Sequence, residues 1–265
     1  MTVRTANHLE EIDERGVARL TLNRPDLHNA FDDSLIADLT SSVARLGADP
    51  KVRVLVIAGA GKSFSAGADL NWMRAVAAND EASNLADARK LAKLMHTLDR
   101  LSKPTIARVH GAALAGGTGI VACCDIVIAS RSAKFGLSEV RLGIIPAVIS
   151  PYVIAAIGQR AARRYFVSGE RLGADEAHRL GLVSDLVNDI DLDTRVEQVV
   201  VDLLANGPCA MAEAKALCFD VGGQRIDEAM IEDTALRIAR LRASPEGQEG
   251  LTAFLEKRKP RWQGQ

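Results

Sequence analysis

A charge excess of either sign is missing from this 265-residue chain, in which 33 lysines and arginines stand against 34 aspartates and glutamates for a formal net charge of -1. No global positive field draws it to nucleic acid or to an anionic membrane. Cysteine is scarce. Cys123, Cys124, Cys209 and Cys218 form no C-x-x-C pair and have no histidine at ligand spacing beside them, so reduced thiols in a cytoplasmic protein are expected. His8, His28, His96, His110 and His178 are scattered, and a metal site is not expected. No apolar run is long enough to cross a bilayer, and the polar, acidic segment Met1–Gly16 lacks the apolar centre of a signal peptide. A P-loop is excluded as well. Gly61-Lys62-Ser63 resembles its end, but Val56 stands where the motif needs its first glycine.

What is present is a pattern of strands, glycine loops and helices. Asn7–Asp13 and Val17–Leu22 alternate about the turn at Glu14-Arg15-Gly16 and predict a β-hairpin. Asp32 or Asp33 caps a helix whose apolar face is Leu35, Ile36, Leu39, Val43 and Leu46. Val52–Ile57, Pro104–Val109 and Asp125–Ala129 read as buried strands, with helix over about 81–101. Further on, Pro151–Ile157, Ala161–Val167 and Ala174–Leu180 read as short helices and Val183–Val187 as one more strand. Past about residue 200 only amphipathic helices remain. The fold class is α/β, with ligand groups presented at strand carboxyl ends. The chain divides into a core over 1–200 and a helical oligomerisation region over 201–265.

Gly111–Asp125, GAALAGGTGIVACCD, carries the strongest local signal. Gly116 and Gly117 lack Cβ atoms, and the first N–H groups of the helix they open have no intrahelical partner. The stretch is suited to an oxyanion, or simply to close helix–strand packing. With Gly59–Leu70 it makes two glycine loops at strand ends, able to aim two backbone N–H groups at one carbonyl oxygen. Candidates for moving protons are Asp69, Glu139 and Asp125, the last of which begins a strand and reads more simply as structural. Glu139 is preferred because Phe135, Leu137, Val140, Leu142 and Ile144 surround it in sequence, and partial burial raises a carboxyl pKa toward the working range.

These residues resemble the crotonase, or enoyl-CoA hydratase/isomerase, superfamily. The likeness runs through LNRPDLHNAF at Leu22–Phe31, FSAGADL at Phe64–Leu70, VHGAALAGG at Val109–Gly117, CDIVIAS at Cys124–Ser130, the SEVRLGIIP block at Ser138–Pro146 and FLEKRKP at Phe254–Pro260. The resemblance implies a spiral of ββα repeats with a C-terminal helical trimerisation region, assembled as a trimer or as a hexamer built from two trimers. It implies an oxyanion hole from the Ala68 and Gly116 N–H groups, gripping an acyl-CoA thioester. Asp26, Leu27, Ala66, Asp69 and Leu70 would line coenzyme A, and Phe254 and Lys257 would reach a neighbouring subunit's ligand. No cofactor beyond the substrate's own coenzyme A is implied.

Glu139 falls on the second of the family's two catalytic glutamates, while Gly119 occupies the position of the first. AGADLNWMR at Ala66–Arg74, SEVRLGIIPAVISPYVI at Ser138–Ile154 and SPEGQEGLTAFLEKRKPRWQ at Ser244–Gln263 look like the 3-methylglutaconyl-CoA and isohexenylglutaconyl-CoA hydratases, which share this departure. A one-glutamate hydration follows from that likeness. A double-bond isomerase and a non-catalytic acyl-CoA or RNA binder are the rival classes. Gly119 would open room for a substrate branched at C3. Arg74 or Arg141 would pair with a glutaconyl carboxylate, and Trp72 and Met73 would floor the acyl pocket or pack in the core.

Overall fold

The computed structural model describes residues 2–5 and 7–264. Strands β1 (Thr2–Arg4), β2 (His8–Ile12) and β3 (Val17–Leu22) open the chain as an antiparallel ribbon. The β2–β3 turn is set by Asp13, whose Oδ1 accepts from the N–H groups of Arg15 and Val17, both at 3.0 Å. Gly16 is required there, since its φ is +82° and a Cβ would stand 2.3 Å from the Lys51 carbonyl oxygen.

Helix α1 (Asp33–Ala48) follows, with the Asp32 side chain accepting from Leu35 N–H. It buries Leu35, Ile36, Leu39, Val43 and Leu46, each worth about 1.5–3 kcal/mol relative to exposure. Then come β4 (Val54–Gly59), α2 (Leu70–Val76), α3 (Glu81–Asp99), β5 (Thr105–Val109), β6 (Ala112–Leu114), α4 (Gly116–Ala122), β7 (Ile126–Ser130) and β8 (Lys134–Gly136). The chain continues through α5 (Ser150–Ser168), β9 (Arg171–Gly173), α6 (Ala174–Leu180), β10 (Asp185–Val187), α7 (Leu192–Leu204), α8 (Pro208–Val221), α9 (Glu228–Ala243) and α10 (Pro245–Leu255).

The strands form two sheets, a seven-stranded one in the order β1-β2-β3-β4-β5-β7-β10 and a three-stranded one in the order β6-β8-β9. From β3 onward all pairs in the large sheet are parallel. The chain spirals: β5 in the large sheet leads to β6 in the small one and then to α4, and β7 leads to β8 and then α5. This is the ββα repeat of the crotonase fold. One core lies between the large sheet, α1, α3, α4 and α5, and a second joins its other face to Leu192, Val196, Val199 and Val200 of α7.

Several elements differ from the sequence reading. The two short helices expected at Pro151–Ile157 and Ala161–Val167 are present as the two parts of α5, which are longer than read and meet at Gly158, where φ of 74° and ψ of 154° are not helical. Strands β6, β8 and β9 have three residues each, too few for an alternating pattern, and exist because they pair with one another. Helix α2 lies where no helix was read. The expected division at residue 200 falls inside α7, whose Val196, Val199 and Val200 pack on the core sheet. Asp125 is structural: its Oδ2 accepts from Thr105 N–H, Thr105 Oγ1 and Lys215 Nζ, which docks α8 against the core.

Candidate active site

The two glycine loops are joined through Phe31. Its N–H donates to Gly67 O at 2.7 Å and its carbonyl accepts from Asp69 N–H at 2.8 Å. Because alternate residues of an extended segment face opposite ways, the Ala68 N–H between them points away from Phe31, and no acceptor among the described residues takes it. The Phe31 ring lies 3.4 Å from where a Gly116 Cβ would stand, so it touches the second loop as well.

That second loop is tied to the first by Leu114 N–H donating to Ser65 O and Ser65 N–H donating to Ala112 O, both at 2.9 Å. Ala115 adopts φ 48° and ψ -116°, a conformation that favours glycine. Its N–H is held by Gly136 O at 2.8 Å, and its Cβ lies 3.2 Å from where a Gly67 Cβ would be. The strained residue turns the chain so that Gly116 begins α4 with its N–H unpaired, as the first N–H groups of a helix are. Ala68 and Gly116 therefore offer two backbone donors from loops in contact.

Asn29, fully buried with φ 56°, braces this arrangement. Its Nδ2 donates to the carbonyls of Ala60 and Ser63, both at 2.8 Å, and its own carbonyl accepts from Ser65 Oγ. The Asp69 side chain serves the same end. Its buried carboxylate accepts from Asn71 N–H at 2.8 Å and Trp72 N–H at 3.1 Å, capping α2, and lies 3.5 Å from Arg24. Arg24 also pairs with Asp32, the cap of α1, at 2.7 Å. The side chain is thus committed to holding the loop that carries Ala68.

Glu139 opens a single 3₁₀ turn, Glu139–Leu142, which ends at Gly143 with φ 75°. Its Oε2 is buried and has no hydrogen-bond partner among the described residues. Burial pushes its carboxyl pKa up, opposed only by a bond from its own N–H, so no charged neighbour sets it. A desolvated carboxyl with its pKa raised is a stronger proton acceptor than a solvated one, which suits it to proton transfer.

The remaining expected residues distribute unevenly. The turn bearing Asp26 and Leu27 is brought to the first loop, where Ala66 N–H donates to His28 O at 2.9 Å, and Leu27 and Leu70 are exposed. Arg74 is exposed on α2 and donates to Asn71 Oδ1, and Arg141 is exposed beside Gly169. Phe254 and Lys257 are exposed at the end of α10, which packs on α8 and α9. Trp72 is half-buried with its Nε1–H unpartnered, a feature that its sequence neighbours do not signal.

Gly119 requires a correction. It was expected to open space beside the reacting carbons, but the position of its Cβ lies 2.3 Å from Ile149 Cγ2 and 3.1 Å from Met95 Cε. The room is filled. A cavity of about 1030 Å³ lies on the other side of the large sheet beside α7, lined by Arg19, Thr21, Val56, Ala58 and His110 among others, and by none of the candidate residues.

With this geometry in place, comparison with known proteins decides the family. The profile of the enoyl-CoA hydratase/isomerase family matches residues 13–265. The chain belongs to that family. Among its members, the crotonyl-CoA hydratase of Syntrophomonas wolfei is 36% identical over 249 residues, covering 93% of this chain and 94% of that one. The 2,3-dehydroadipyl-CoA hydratase of Escherichia coli is 34% identical, covering 95% and 96%. The crystal structure of an enoyl-CoA hydratase from Shewanella pealeana superposes with a TM-score of 0.94 at 47% identity, covering 97% and 96%.

Proposed function

We propose that this member of the enoyl-CoA hydratase/isomerase family is a hydratase that adds water across the 2,3 double bond of a branched enoyl-CoA, with 3-methylglutaconyl-CoA as substrate. The observation that carries the reading is the single desolvated carboxyl of Glu139, which has no second acid or base paired with it. The Ala68 and Gly116 N–H groups hold the thioester oxygen. Glu139 takes a proton from water as the water oxygen bonds to C3, and the C2–C3 π electrons move into the thioester as an enolate. The same carboxyl then returns the proton to C2 on the same face. Two donors aimed at that oxygen lower the barrier most as its charge develops, about 3–4 kcal/mol for one donor.

A dicarboxylate acyl group is supported by the Escherichia coli relative, named for 2,3-dehydroadipyl-CoA, a thioester whose chain also ends in a carboxylate. Arg74 and Arg141, exposed and in no ion pair among the described residues, are the cations offered to it. The turn at Asp26 and Leu27, with Ala66 and Leu70, is assigned to coenzyme A, and the thioester itself acidifies C2, so no further cofactor enters. Exposed Ile231, Leu236, Phe254 and Leu255 support assembly into a trimer or a hexamer, with Phe254 and Lys257 turned to a neighbouring subunit.

The test is hydration of 3-methylglutaconyl-CoA, isohexenylglutaconyl-CoA and crotonyl-CoA beside a 3-enoyl-CoA isomerisation assay. Fast hydration of 3-methylglutaconyl-CoA, lost in Glu139→Gln, is expected. Preference for the isohexenyl thioester moves the substrate to the longer tail, and isomerisation without hydration refutes the hydratase reading.

A further inference from the structure

Gly119 stands one helical turn after Gly116 on α4, so the two share a face. A side chain at 119 would lean back over the turn that carries the Gly116 N–H. The backbone of Gly119 is helical, so it is the neighbours and not its own φ that require glycine. Ile149 Cγ2 and Cβ lie 2.3 and 3.0 Å from where its Cβ would stand, and Met95 Cε lies 3.1 Å away.

Both neighbours are held firmly. Met95 is fully buried on α3, with Cys123 Sγ 3.8 Å from its sulfur. Ile149 is 2% exposed at the start of α5, where its carbonyl accepts from Val153 N–H at 3.1 Å. It also ends the segment that Glu139 begins, whose early turn is tied by Ile144 N–H to Glu139 O at 3.3 Å. One stretch of chain therefore supplies the proton-transferring carboxyl and the side chain that closes the face beside the oxyanion donor.

We propose that Ile149, backed by Met95, is a specificity-determining wall of the acyl site. It fills the volume beside the Gly116 N–H that a side chain at position 119 would occupy, keeps that side apolar, and limits the bulk accepted on the acyl C3. The inference rests on the hydratase reading above for its substrate. A thioester carbonyl held at Gly116 places C2 and C3 within a few bonds of this wall, so a methyl on C3 is the group that meets it first.

Glutaconyl-CoA and 3-methylglutaconyl-CoA differ by that methyl alone and serve as probes. Ile149→Ala, and Ile149→Val where the larger truncation folds poorly, should raise the kcat/KM preference for the methylated thioester, by roughly tenfold or more in the Ala variant. Gly119→Ala should lower the unfolding midpoint by roughly 3–10 °C, because its Cβ must displace Ile149. Adding Gly119→Ala to Ile149→Ala should cost clearly less stability than Gly119→Ala costs by itself, since the Cγ2 at 2.3 Å is gone and only the residue-149 Cβ at 3.0 Å and Met95 Cε at 3.1 Å remain close. A Gly119→Ala protein that melts with the wild type, or an unchanged preference in both Ile149 variants, overturns the proposal. If the wild type hydrates neither thioester, the hydratase reading fails, and the melting cycle by itself decides whether Ile149 occupies the 119 position.

Discussion

Replacing Asp69 separates a residue that holds the oxyanion loop from one that binds ligand. Asp69→Ala removes the acceptor of the Asn71 and Trp72 N–H groups, and loss of such a cap costs about 1 kcal/mol. It also removes one of the two carboxylates on Arg24, at 3.5 Å, between side chains 15% and 8% exposed. Arg24 keeps Asp32 and the Ala30 carbonyl, so this second loss is about 1 kcal/mol and the total about 2 kcal/mol. Asp69→Asn keeps an oxygen for the cap and loses only the charge, so about half of that should return.

The catalytic consequence runs through Ala68, the preceding residue. If its N–H swings out of line, up to about 3–4 kcal/mol of barrier stabilisation is lost, a fall in kcat of roughly 10²–10³. Denaturant unfolding and steady-state hydration of 3-methylglutaconyl-CoA read the two effects. KM should change far less than kcat. A variant whose KM rises while kcat and stability hold would show that Asp69 binds coenzyme A and would refute the capping argument.

Glu139→Gln should abolish hydration yet stabilise the protein near pH 8. Burial raises this carboxyl above the ordinary 4.5, so its ionised form disfavours the folded state; the stability gap between variant and wild type should widen as pH rises through the raised value and close below 4.5. Equal melting temperatures at pH 8 would mean that the carboxyl is well solvated. The wild-type kcat should likewise fall on acidification with a midpoint above 4.5, as the carboxyl loses its ability to accept a proton. Ala115→Gly should relieve the strained φ of 48° and raise stability by about 1 kcal/mol, while kcat drops because Gly116 is aimed less firmly. A loss of stability would show that the Ala115 contact with Gly67 outweighs the strain.

Much of this protein was legible from its residues alone. Local rules account for the hairpin about Gly16, the cap at Asp32, the amphipathic face of α1 and the buried strands β4, β5 and β7, because each depends on side-chain periodicity or on one turn. Ala68 and Gly116 were named as candidate donors through the family resemblance of their loops, and Glu139 through that resemblance and its apolar sequence neighbours. Tertiary structure decided the rest. The three-residue strands β6, β8 and β9 exist only through pairing with distant segments, and the Asp69 carboxylate, a candidate for proton transfer in the sequence, is held by the start of α2 and by Arg24. The meaning of Gly119 changed most. A glycine in a sequence reads as empty space, but whether that space is free depends on what packs against it, and Ile149, thirty residues away, reaches it only once α5 has folded onto α4.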